Sequence, residues 1–317
     1  MKKLLATVIS MAMLVAMMPM GVFAVDETSG ETAPTDKNYV AQIGDKQYKS
    51  LKAAVESVTD NKQTKIELLD DVTDGDGIVV GSGKNIEFDL GEHTYTVTKN
   101  LAGSKGTESQ CFQLLKDSKI KIYNGKIKAN NNNVAMIIQN YSNLTLEDVV
   151  LDGESITRND VTVYTLSNNN GEISINLGTV IKKANNPRAF AMDVCWAKAY
   201  ENGARVTINE GAIINGPLEL GLWDESTYAD GKSVLTVNGG TFNGPIKLDS
   251  NTSETPAQVS KNVTIKGGTF SDLSALDYLG NDADIKIELK ESVDLKDMVK
   301  IPSRSKVTLD LNGQTIK

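Results

Sequence analysis

A short unit, apolar-x-apolar, then a polar or glycine bend, then apolar again, recurs along this chain and limits what it can fold into. It reads Ile120-Lys121-Ile122-Tyr123-Asn124-Gly125-Lys126-Ile127 in one copy and Leu144-Thr145-Leu146-Glu147-Asp148-Val149-Val150-Leu151 in the next. Further copies begin at Ile173 and Val206, and the clearest are Leu235-Thr236-Val237-Asn238-Gly239-Gly240-Thr241-Phe242 and Val263-Thr264-Ile265-Lys266-Gly267-Gly268-Thr269-Phe270. Starts at 120, 144, 173, 206, 235 and 263 give intervals of 24 to 33 residues, the length of one turn of a stacked array. Alternation of period 2 turns one face of each strand inward, so Ile122, Leu146, Ile175, Ile208, Val237 and Ile265 are expected in one buried column. Glycine and asparagine tolerate the left-handed backbone of a corner, which gives the 26 Gly and 27 Asn a structural task. A second register mark is Gly216-Pro217-Leu218-Glu219-Leu220 against Gly244-Pro245-Ile246-Lys247-Leu248, with Asn186-Pro187 as a looser third copy.

The segments before the array differ in kind. Lys2 and Lys3 precede the apolar run Leu4 to Met18, and Val22-Phe23-Ala24 then supplies small residues before an acidic stretch, so residues 1–24 read as a cleaved secretory signal. The run is shorter than the ~20 residues that span a bilayer, so no stable membrane span is expected after cleavage. Residues 25–37 lack periodicity and read as a flexible acidic linker. In residues 38–61, two short strands around Gly44-Asp45 precede Ser50 as a helix N-cap. Leu51, Ala54, Val55 and Val58 then recur at helical spacing to an end near Asp60-Asn61. This hairpin plus helix is expected to cap the coils assigned to residues 62–317. The C-terminal Thr315-Ile316-Lys317 carries no hydrophobic tail, and the mature chain is expected to be secreted and extracellular, associated with a cell surface where a partner holds it.

A longer similarity runs at an offset of 221, where Lys65-Ile66-Glu67-Leu68 matches Lys286-Ile287-Glu288-Leu289 and Asp89-Leu90 matches Asp310-Leu311. Ile43-Gly44-Asp45-Lys46-Gln47-Tyr48-Lys49-Ser50-Leu51-Lys52-Ala53-Ala54-Val55 and Leu309-Asp310-Leu311-Asn312-Gly313-Gln314-Thr315-Ile316 are the remaining landmarks. With these the chain, from about Tyr39 to Lys317, resembles secreted Firmicute surface proteins of the pectate-lyase-like type. That resemblance implies an all-β fold, a right-handed parallel β-helix. Its motifs specify coil geometry and leave the activity open.

Charge narrows the partners. With 33 Lys+Arg against 41 Asp+Glu the formal charge is −8, and loss of Lys2 and Lys3 with the signal leaves 31 basic residues against 41 acidic, or −10. No basic stripe is present, so nucleic acid is excluded as a partner. The two cysteines, Cys111 and Cys195, read as buried small residues rather than a bridge, and the single histidine, His93, as a turn residue. Asp70-Asp71-Val72-Thr73-Asp74-Gly75-Asp76-Gly77 packs four carboxylates into eight residues but lacks the twelfth-position Glu of a calcium loop. A solvated acidic turn is expected, with no metal and no cofactor.

Catalysis on pectate would need a carboxylate cluster with an Arg or Lys base, and glycoside hydrolysis two opposed carboxyls. Of four arginines, Arg188 is the least implausible base, with Asp193 five residues on, and no lyase or polygalacturonase signature is found, so no catalytic residue is assigned. The candidate ligand-binding residues are Trp196 and Trp223 with Asp193, Asp224 and Tyr228, because aromatics beside carboxylates suit sugar rings or a protein anchor. The alternative for each Trp is packing at a corner. The expected function is a non-catalytic, adhesin-like surface-interaction or glycan-binding protein, with a glycan or a host or cell-surface protein as partner. The alternatives are a polysaccharide lyase or glycoside hydrolase acting on acidic polysaccharide, and a structural stalk or fragment of a longer adhesin.

Overall fold

The computed structural model describes residues 39–196, 203–222, 234–250, 252, 255–296 and 298–317. The signal and linker assigned above lie outside these residues. The described chain is all-β, built as one long sheet of 18 strands and a second sheet of seven. Among the described strands every pairing is parallel except the two made by the N-terminal hairpin, and one isolated antiparallel bridge joins Ala102 to Gln110. Parallel neighbours separated by some 25 residues are what a repeat with connecting bends produces, and the arrangement is consistent with a β-helix-like fold.

The repeat sets the register. Ile120, Leu144, Ile173, Val206, Leu235 and Val263, the first residues of the six copies, are successive partners across the long sheet. Two positions on, Ile122, Leu146, Ile175, Ile208, Val237 and Ile265 form a second row, each at most 1% exposed, as the alternation predicts. The shorter sheet contributes its own inward row, Ile78, Phe112, Ile138, Leu166, Met192, Leu218 and Ile246. The inner faces of the two sheets meet in the core. Phe88 of the long sheet sets its ring edge-on to Phe112 of the short one at 6.0 Å, and Phe242 stacks on Phe270 at 4.7 Å along the long-sheet ladder.

Bends are held by side-chain amides that repeat with the strands. Asn238 Nδ2 donates to Asn209 Oδ1 at 2.9 Å, and Asn209 Nδ2 in turn to Asn176 Oδ1 at 2.7 Å. A buried set lies elsewhere, where Asn140 Nδ2 reaches Asn168 Oδ1 at 2.9 Å and the Ser142 carbonyl at 2.8 Å. Asn124 takes a left-handed φ of 61° at its bend, a conformation this side chain tolerates better than most.

A hairpin and a short helix precede the first strand of the parallel array. Strands Ala41–Ile43 and Lys46–Tyr48 turn through Gly44 at φ 55°, and the first pairs antiparallel with Thr64–Leu68 at the edge of the long sheet. Ser50 Oγ accepts the Ala53 N–H at 3.1 Å and starts the helix Leu51–Ser57. The helix is shorter than its pattern implied. The β-branched Val58 leaves helical geometry at ψ 108° yet stays 6% exposed, so its apolar contact is made from extended backbone. The Asn186-Pro187 copy also departs from the expected register, because Ala191 N–H, not a group at Pro187, bonds the Pro217 carbonyl.

Among the described residues no helix is long and apolar enough to cross a membrane. Both Cys111 and Cys195 are buried free thiols, and burial pushes each thiol pKa upward.

Candidate functional site on the outer face of the short sheet

One position outside the inward row of the short sheet runs a polar one. Gln113, Gln139, Ser167, Asp193, Glu219 and Lys247, preceded by the apolar Val79, are successive register partners; Gln113, Ser167 and Asp193 are buried, Gln139 and Glu219 half-buried and Lys247 exposed. Strands in such a ladder stand ~4.8 Å apart, so this is a line of hydrogen-bonding groups at regular spacing. Gln113 Nε2 donates to Gln139 Oε1 at 3.0 Å, and Asn168 N–H donates to Asp193 Oδ1 at 3.0 Å. Beside this row stand Tyr164 and Phe190, partners in register, both half-buried, their rings stacked at 5.4 Å and 22°. Tyr164 O–H reaches past its neighbour strand and donates to Glu219 Oε2.

Electrostatics follow from this crowding. Burial raises the Asp193 pKa to about 8, with Glu219 adding to the shift and hydrogen bonds from Ser167 and Asn168 opposing it. The acid is therefore mostly protonated at neutral pH and offers an O–H. Burial also pushes Glu219 up, with Asp249 acting in the same sense and Lys247 against it. The Tyr164 phenol is raised by burial first and then by Asp193 and Glu219.

Of the residues singled out in the sequence, Asp193 lies in this row and is 6% exposed. Trp196, three residues on in the same strand, is 2% exposed, with the Arg205 guanidinium 4.7 Å from its ring. A Cβ on Gly203 would stand 2.2 Å from its Cη2, which shows how closely the backbone is packed against the indole. Trp196 is buried at the end of its strand. Trp223, Asp224 and Tyr228 lie outside the described residues. Tyr164, Phe190 and Glu219 were missed. Glu219 was within reach, being two residues past Pro217 as Lys247 is past Pro245, but no Gly-Pro mark aligns Tyr164 with Phe190.

Two chemical alternatives meet the geometry. Arg188 precedes the strand Ala189–Trp196 and donates to the Asp160 carbonyl at 2.9 Å. Five extended residues carry Asp193 roughly 16 Å away, so the two do not converge as base and acid. The acidic segment at 70–77 is largely strand, Val72–Asp76, and its carboxylates have separate partners. Asp71 accepts the Thr94 N–H, Asp74 pairs with Lys99 at 3.2 Å and Asp76 accepts from Asn100. Among the described residues no group of three His, Cys, Asp or Glu is placed to hold a metal ion.

No known protein family, no curated protein and no solved structure matches the chain.

Proposed function

We propose that this chain is a secreted, right-handed parallel β-helix that binds a polysaccharide or glycan surface without transforming it. The reading rests on the stacked Tyr164–Phe190 pair standing beside the in-register row whose solvent-reaching members are the Gln139 amide, the Glu219 carboxyl and the Lys247 ammonium. Flat apolar rings cover the faces of sugar rings, and a regular polar row meets hydroxyls that repeat along a polymer. Glu219 and Asp249 outweigh Lys247 on this face, which favours uncharged sugars over uronates. The likeness to Firmicute surface proteins and the reading of residues 1–24 as a signal support an extracellular setting. The catalytic alternative is weakened because the two perturbed carboxyls are already engaged, Asp193 by Asn168 N–H and Glu219 by Tyr164.

The test is retention on immobilised neutral and acidic polysaccharides, with reducing ends and unsaturated uronides assayed in parallel. Wild type should be retained on a neutral polymer, and Tyr164→Ala and Phe190→Ala should each weaken binding about tenfold, the scale of an interface hot spot, while the chain stays folded. Retention on none of the polymers, or unchanged retention by both variants, defeats the reading. Release of sugar products establishes the enzyme instead.

A further inference from the structure

A cleft of about 730 Å³ lies where three neighbouring strands of the short sheet begin, at Gln110, Met136 and Val163. That volume falls inside the ~300–1,000 Å³ of ordinary small-ligand sites. Its border is fixed by backbone paired between coils, with Ala135 N–H on the Ser109 carbonyl at 2.7 Å and Tyr164 N–H on the Ala135 carbonyl at 3.1 Å. Residues 103–109 loop out between Ala102 and Gln110, which are bridged antiparallel, and bring Glu108 to the cleft.

The polar groups here are held in place and only partly used. The Arg158 guanidinium donates from Nε to Asp160 Oδ1 at 2.8 Å, from Nη2 to Asp160 Oδ2 at 3.4 Å and from Nη1 to the Asn133 carbonyl at 3.1 Å. Three of its five N–H groups are engaged in this way and two remain. Glu108 Oε2 accepts the Gly106 N–H at 2.9 Å, and its Oε1 has no hydrogen bond among the described residues. The Asn133 side-chain amide has none there either, while the Asn133 N–H is pinned to Asn131 Oδ1 at 2.9 Å. Half-buried Leu101, Met136 and Val161 supply apolar surface between these groups.

We propose that this cleft binds one neutral sugar ring, free or at the end of a chain. A pyranose carries hydroxyls, each both donor and acceptor, around its edge and C–H groups on its faces. The spare Arg158 N–H groups, the open Glu108 oxygen and the Asn133 amide are thus met together, with the ring faces on apolar side chains. An apolar ligand would strip water from Arg158 and Glu108 and return no hydrogen bond. An anion is disfavoured because Asp160 already neutralises Arg158, whose hydrogen bond holds the Asp160 carboxyl below its usual range, and Glu108 adds a second negative charge. Met136 is the register partner of Tyr164, so the cleft adjoins the aromatic pair, but it needs no polymer lying along that pair.

The experiment is titration calorimetry on the full chain with glucose, galactose, mannose and N-acetylglucosamine. Cellobiose and lactose present such rings at a chain end, and glucuronate is the charged comparator. At least one neutral sugar should bind, and glucuronate more weakly. Glu108→Ala should weaken binding about tenfold through loss of a charged acceptor. Thr162→Trp, which sets a large ring in the cleft from an exposed position, should abolish it, and both variants should keep the wild-type melting temperature. A disaccharide that binds more tightly than its single sugar marks a chain end and equal affinity marks a free sugar, and either supports the site. A chain that binds none of these sugars overturns the proposal, as does tighter binding of glucuronate or unchanged affinity in either variant. A chain that binds a single sugar but is retained on no polysaccharide defeats the polymer reading alone. One retained on polymer that binds none of the small sugars defeats the cleft alone.

Discussion

Asp193 binds its proton far more tightly in the folded chain than in the unfolded one, because burial between Ser167 and Glu219 raises its pKa to about 8 while a free aspartate titrates near ~3.9. Between those values the native state holds one more proton than the unfolded chain. Stability contributed by this group is therefore complete below about pH 4, declines as pH rises toward 8, and is flat above. The slope inside that window is about 1.4 kcal/mol per pH unit for one proton. Asp193→Asn keeps an oxygen for the Asn168 N–H and removes the titration. Its melting temperature should fall less than that of wild type between pH 5 and 9, and should be the higher of the two at pH 9. Identical slopes in thermal denaturation would place the origin elsewhere. Glu219 is shifted in the same direction, so a residual slope is expected in the variant. Burial of this kind is hard to read from a string of letters. Asp193 and Trp196 sit in Asp193-Val194-Cys195-Trp196 like a polar, aromatic patch, but the fold buries both, the second against Gly203 and the Arg205 guanidinium.

At the scale of the strand, legibility depended on whether a signal had period 2 and a fixed partner. The six inward residues from Ile122 to Ile265 were legible because both conditions held, and the Gly-Pro marks gave Glu219 and Lys247 their shared row. Asn186-Pro187 misled because the residue that stands opposite Pro217 is Ala191, four residues past Pro187. The acidic run at 70–77 misled differently, since composition announced a loop where the ladder continued through Val72–Asp76. Asparagine was read correctly as structural, and its weight should depend on depth. Asn140 is fully buried and its amide serves Ser142, Asn168 and Asn170. Asn140→Ala leaves those acceptors dry and should cost about 1–3 kcal/mol, whereas Asn238→Ala, at the exposed end of the ladder to Asn209, should cost less than about 1. Urea unfolding of the two variants orders them, and equal losses would show that the buried amides carry no special load.

Across the whole molecule, contacts join neighbours in the stack, so the interior protects itself and the ends decide whether the chain stays discrete. At the offset of 221, strands Thr64–Leu68 and Asn85–Asp89 correspond to Asp284–Glu288 and Lys306–Asp310. Among the described residues, the first pair has a hairpin and helix at its edge. The helix holds that cover through Leu51, Ala54 and Val55, which are 1%, 0% and 5% exposed. Leu51→Asp puts a carboxylate into this contact, with the loss of a buried leucine and an unpaired charge, and should cost more than about 3 kcal/mol locally. Ser50→Ala removes only the cap to Ala53 N–H and should cost about 1 kcal/mol. If the cap guards the edge, Leu51→Asp frees the strand Thr64–Leu68 and produces species larger than those of the wild-type chain. Ser50→Ala should show the wild-type mass at every concentration. Light scattering of the three chains decides it, and a Leu51→Asp chain that loses stability without growing in mass would mean that the hairpin alone protects the edge.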